Sequence, residues 1–173
     1  ARSTRDAQPD RPDPAPGPPP ALQTPGGLHA VALDHPFCFA YAETLDCLRT
    51  AGAELVFFSP VHDTALPEDI CGLYLPGGYP ELYARPLSEN KTMRDAIRDA
   101  ENGGLPTVAE CGGFLYLGQT LEDASGTAWP MAGVLPGQGF RGGRLVRFGY
   151  AALIAHADSM LLRTGERLPV HEV

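Results

Sequence analysis

The sequence predicts an α/β domain built on a mostly parallel sheet, with a nucleophile elbow at one strand-to-helix turn. Three observations carry that expectation. Short apolar runs of strand character alternate with stretches of helical spacing, the pattern of βαβ units. Two of the runs lead straight into glycine pairs, "LPGG" at 75–78 and "ECGG" at 110–113. The second pair follows Cys111, which stands between an acidic residue and two glycines at the end of an apolar run.

The elements follow in order. "LHAVAL" (28–33) is a short apolar run that reads as a buried strand. "AYAETLDCLRTAG" (40–52) has helical spacing at Tyr41, Leu45 and Leu48 and stops at Gly52. "ELVFFSP" (54–60) is a strand ended by Pro60, and "GLYLPGG" (72–78) is another. "LSENKTMRDAIRDAENGG" (87–104) reads as one helix with Ser88 as its N-cap and a Gly-Gly stop. "LPTVAE" (105–110) is a fourth strand and "GGFLYLGQTL" (112–121) a short helix after it. Beyond Met131 the pattern is less regular, with a strand expected at "GRLVRFGY" (143–150). Residues 1–27 hold eight of the 18 prolines and little to bury, so they read as a linker or a disordered native tail, with residues 28–173 as the folded domain.

The bulk numbers exclude several classes. A formal net charge of −8 with no basic stretch argues against nucleic acid as a partner. No run of apolar residues is long enough to span a membrane, and the first residues lack the apolar core of a secretory signal. Cys38, Cys47, Cys71 and Cys111 form no CxxC pair, so neither a zinc site nor a disulfide framework is expected; reduced thiols in a cytoplasmic protein are the simplest reading.

In an open parallel sheet, ligands bind at the carboxyl ends of the strands, where both glycine turns fall. A nucleophile on a sharp turn needs small neighbours, and Ala109, Gly112 and Gly113 supply them. The helix that follows points its N-terminus at the sulfur, which favours thiolate. The N–H of Gly112 would face an oxyanion, and Gly77 and Gly78 are candidates for the second donor. The competing reading is a buried structural thiol beside a glycine turn.

Other features carry less. "GQGFRG" (137–142) matches G-x-G-x-x-G but no helix pattern follows it, so a dinucleotide loop is not expected. No G-x-x-x-x-G-K-[ST] loop occurs. His29, His35, His62 and His156 lack metal-ligand spacing and read as surface or loop residues, while Cys38, Cys47 and Cys71 read as packing residues. Arg144 and Arg147 read as a solvated strand face.

Four segments in order, "DHPFCFAYAETLDCLRTAGAELVFFSP", "LPGGYPEL", "LSEN" and "AECGGFLYL", resemble the glutaminase domain of cobyrinic and hydrogenobyrinic acid a,c-diamide synthases over about residues 28–173. These are class I glutamine amidotransferases of the cobyric acid synthase type. The resemblance implies a flavodoxin-like three-layer sandwich in which Cys111 attacks the side-chain amide of L-glutamine and the N–H groups of Gly78 and Gly112 stabilise the tetrahedral intermediates. The ammonia would pass to an N-terminal ATP-binding synthetase domain that amidates the a and c carboxylates of a corrinoid. ATP and magnesium are therefore expected on that domain and no cofactor on this chain.

Two departures accompany the likeness. Many class I amidotransferases read G-x-C-x-G-x-Q, whereas here the first glycine is Ala109 and the glutamine position is Leu115. The family also ends this domain near G-H-E-F-H. Aligned with "RTGERLPVHEV", His171 and Glu172 match its first His and Glu and are the possible near-site residues. The position matching the catalytic histidine would follow Val173, so the resemblance implies a domain truncated at its C-terminus that lacks its catalytic base as it stands. On a strand, His171 and that position would face opposite ways. The alternatives are a related amidotransferase with another acceptor and a non-catalytic domain of the same fold.

Overall fold

The computed structural model describes residues 26–140, 142 and 148–172. Residues 1–25 of the linker or tail expected at 1–27, Arg144, Arg147, Val173 and most of the strand expected at 143–150 lie outside the described residues.

Four parallel strands form the central sheet: β1 (Leu28–Ala32), β2 (Glu54–Phe58), β3 (Ile70–Leu75) and β4 (Thr107–Ala109), in the spatial order β2-β1-β3-β4. Val31 lies opposite Phe57 on one side and Tyr74 on the other, and Leu75 lies opposite Ala109. This is the strand order of a flavodoxin-like sheet, whose ligands bind where the order reverses, beside β1 and β3.

Alternation along the strands feeds two cores. Ala30, Ala32, Leu73 and Leu75 face one side, where they join Leu87 of α2 (Ala84–Glu89), Met93 and Ile97 of α3 (Lys91–Asn102), and Tyr116 and Leu117 of α4 (Gly112–Leu117). Val31 and Tyr74 point the other way and meet Leu45 of α1 (Ala42–Thr50). The period of two on the strands and the four-residue step from Met93 to Ile97 produce this three-layer sandwich. On the larger side, the guanidinium groups of Arg94 and Arg98 donate to the carbonyls of Met131 and Ala132, each at 3.1 Å, and tie α3 to the chain after the sheet.

The helix expected over 87–104 is two helices. Ser88 lies inside α2 and is not a cap; Asn90 separates the helices and is the N-cap of α3. Its carboxamide oxygen accepts from Met93 N, while its nitrogen donates to the carbonyls of Pro60 at 2.9 Å and Asp63 at 2.8 Å. An amide has two hydrogens for these two carbonyls besides its accepting oxygen, whereas a serine hydroxyl has one.

Beyond α4 lie elements with little sequence signal. β5 (Thr120–Glu122) pairs antiparallel with β6 (Ala128–Pro130) and parallel with β7 (Gln138–Gly139). Asp123 closes the turn between β5 and β6: its carboxylate accepts from Ser125 N at 2.8 Å, Thr127 N at 3.0 Å and Trp129 Nε1 at 2.7 Å. β8 (Gly149–Ile154) and β9 (Arg167–Glu172) form a separate antiparallel pair. Among the described residues, no helix is long and apolar enough to cross a membrane.

Candidate active site

β4 ends at Ala109, and α4 begins three residues later at Gly112. Between them Cys111 adopts φ 45° and ψ −110°, outside the regions open to L-residues. Such a conformation costs on the order of 1–3 kcal/mol and persists only where the surroundings dictate it. Here they do. Glu110 N donates to Leu75 O at 3.0 Å, and Gly113 N donates to both Glu110 O at 2.8 Å and Pro76 O at 3.1 Å. A side chain on Gly113 would overlap the Leu75 carbonyl, and one on Gly112 would lie 2.7 Å from Pro80 Cδ. The elbow expected from "ECGG" is present, and Cys111 is exposed rather than buried.

The second glycine turn lies against the first. A Cβ on Gly77 would be 3.4 Å from Cys111 Cβ, and the Gly77 carbonyl accepts from Phe39 N at 3.0 Å. Gly78 has no room for a side chain beside the Pro36 carbonyl. A Cβ on Gly112 would lie 3.1 Å from Gly78 N, so the amides of Gly78 and Gly112 are close neighbours. Among the described residues, neither N–H donates a backbone hydrogen bond. Two free N–H groups beside an exposed thiol on a strained turn would suit an oxyanion. Of the two candidates for the second donor, this approach favours Gly78 over Gly77.

Sequence reasoning missed what surrounds the turns. Phe39 and Tyr79 are exposed and meet edge to face, with ring centroids 5.3 Å apart, and Phe114 is exposed in the first turn of α4. Glu110 accepts from the Tyr74 hydroxyl at 3.1 Å. Burial first, and then the Glu110 charge, push the Tyr74 phenol above its ordinary pKa. The signal for this pair was period two on β3, which puts Tyr74 on the α1 side between Leu73 and Leu75; nothing in the sequence reaches from there to Glu110.

His171 lies on β9 opposite Tyr150 of β8. Its ring packs edge-on against Phe148 and Tyr150, at centroid distances of 5.1 and 5.4 Å. Glu172 follows it opposite Gly149. The described partners of both residues thus belong to this hairpin and do not include Cys111.

Cys38, Cys47 and Cys71 are exposed, which corrects the expectation that they pack in the interior. Cys38 follows the short helical turn at His35–Phe37, Cys71 is near the start of β3, and Cys47 lies within α1, whose buried residue is Leu45. Cys71 Sγ lies 3.7 Å from His29 Nδ1. A cavity of about 490 Å³ lined by Leu66, Asp69, Cys71, Gly104 and Pro106 opens at the amino-terminal ends of β3 and β4, the end of the sheet opposite Cys111. Among the described residues, no group of three or more His, Cys, Asp or Glu is placed to hold a metal.

Comparison with known proteins agrees with this architecture. A chain in the structure of PurLQS from Thermotoga maritima superposes with a TM-score of 0.50 over 85% of this chain and 66% of that one, at 16% identity, which shows a shared fold. Curated relatives named cobyrinate a,c-diamide synthase are closer in sequence. Those of Dehalococcoides mccartyi (strain CBDB1) and Salmonella typhimurium are 45% and 46% identical, over 82% and 83% of this chain. That of Thermoplasma volcanium is 43% identical over 83% of it. The chain spans 31% of the length of each of these three relatives. Residues 30–173 match the CobB/CobQ-like glutamine amidotransferase domain. With its parallel sheet, strained Cys111 and paired glycine turns, the chain belongs to the CobB/CobQ-like glutamine amidotransferase family.

Proposed function

We propose that this domain hydrolyses L-glutamine at Cys111 and supplies the ammonia to an ATP-dependent synthetase that amidates the a and c carboxylates of a corrinoid in cobalamin biosynthesis. The observation that carries the reading is the strained Cys111 elbow with the Gly78 and Gly112 N–H groups beside it. The thiolate sulfur attacks the amide carbon of glutamine, and the carbonyl oxygen takes the negative charge between the two N–H groups. The carbon–nitrogen bond breaks, the nitrogen leaves as ammonia with an added proton, and a γ-glutamyl thioester remains. Water then cleaves the thioester, which gives glutamate and restores the thiol.

The corrinoid acceptor is supported by the names of the relatives, which are cobyrinate a,c-diamide synthases. ATP and magnesium belong, in this reading, to a synthetase domain; the sequence here carries no G-x-x-x-x-G-K-[ST] loop. A cytoplasmic location fits four cysteines without a disulfide framework.

The test is labelling with diazo-oxo-norleucine, a glutamine analogue that alkylates amidotransferase nucleophiles, followed by peptide mass mapping. An adduct on Cys111, abolished by added glutamine and by Cys111→Ser, is expected. Labelling spread over Cys38, Cys47 and Cys71, with none at Cys111, overturns the reading.

A further inference from the structure

We propose that the Glu110 carboxylate, anchored by the Tyr74 hydroxyl, recognises the α-ammonium group of the glutamine substrate; this rests on the reading of Cys111 as a glutaminase nucleophile. Glu110 immediately precedes Cys111 at the carboxyl end of β4. Its backbone is fixed by the bond from Glu110 N to Leu75 O, and one carboxylate oxygen, Oε2, accepts from Tyr74 Oη at 3.1 Å. The Tyr74 ring is only 6% exposed and packs with Val31 and Leu45, which holds it in position while α1 is docked. Raised above its ordinary pKa, the phenol stays a donor throughout the neutral range.

Glu110 is nevertheless exposed, and among the described residues no Lys, Arg or His pairs with it. Such a carboxylate can pair with an arriving cation, and the cation that glutamine brings is its α-ammonium. The fixed carboxylate therefore selects an amino acid over a simple amide. Charge-assisted hydrogen bonds of this kind are among the stronger polar contacts.

The test compares two reagents on Cys111. Diazo-oxo-norleucine carries an α-ammonium group, and iodoacetamide carries none. For Glu110→Gln, the half-saturating concentration of diazo-oxo-norleucine is expected to rise about tenfold or more. Alkylation by iodoacetamide is expected to be unchanged. Tyr74→Phe, which keeps the carboxylate but releases it, is expected to show a smaller shift in the same direction. An equal slowing of both reagents in Glu110→Gln identifies a structural role for Glu110 and overturns the proposal, as does an unshifted midpoint. If Glu110→Gln does not fold, an unshifted midpoint in Tyr74→Phe overturns it. If the parent protein is not labelled by diazo-oxo-norleucine at Cys111, the glutaminase reading falls and takes this one with it; a labelled parent with an unaltered Glu110→Gln removes this one alone.

Discussion

Gly113 lies so close beneath the carbonyl of Leu75 that a Cβ there would be 2.6 Å from the carbonyl carbon. The neighbour is backbone of a central strand and has nowhere to retreat. Gly113→Ala is therefore expected to cost about 3 kcal/mol or more in urea unfolding, the upper end of overpacking, and to abolish labelling of Cys111. A stable, reactive Gly113→Ala variant would mean that the elbow is not held as described.

The strain at Cys111 makes a separate expectation. At φ 45° and ψ −110° a glycine is comfortable and an alanine is not. Cys111→Gly should exceed Cys111→Ala in stability by about 1 kcal/mol, within the range for strained backbone. Both should be inert to diazo-oxo-norleucine. The reverse order of stability would show an unstrained turn.

Ser88 and Asn90 separate by role. Ser88 lies within α2, so Ser88→Ala should fall within about 0.5 kcal/mol of the parent. Asn90→Ala loses the cap of α3 and the bonds to Pro60 O and Asp63 O, and should cost about 2 kcal/mol in thermal or urea unfolding.

The carboxyl of Asp123 titrates well below the usual carboxylate range, held there chiefly by the Ser125 hydroxyl, then Trp129, and by backbone N–H groups. A depressed folded-state pKa contributes stability above the unfolded value of about 4 and loses it as pH falls below that value. Acid urea unfolding read by Trp129, the chain's one tryptophan, should show this decline, and Asp123→Asn should lack that component of it. Parallel acid profiles for the two proteins would show that the clasp does not titrate with folding.

Much of the fold was legible because long periodic runs decide it. "LHAVAL", "ELVFF" and the Met93–Ile97 step each matched an element within a few residues. The two glycine turns were legible for a related reason: consecutive glycines after an apolar run leave few conformations to choose among. β5 and β7 were not, since two or three residues carry no periodicity and their pairing rests on the Asp123 turn and on contacts distant in sequence. The break at Asn90 hid inside a continuous helical pattern because what interrupts it is a tether to the loop after β2. Glu110 was in plain view in "AECGG", but its anchor is Tyr74, 36 positions earlier in the chain, and only the fold brings the two together.

The unequal covering of the sheet has a dynamic consequence. Three helices pack on one side, whereas α1 holds the other through Leu45 and partly buried Leu48. Local opening follows the thinner layer, so amide protons of residues 42–50 should exchange with solvent before those of α3. Tyr74 belongs to that thinner layer, and its hydroxyl is what steadies Glu110. Transient detachment of α1 would loosen Glu110 while the backbone of the elbow stays folded, so a glutamine analogue that engages Glu110 should slow exchange in a helix remote from Cys111.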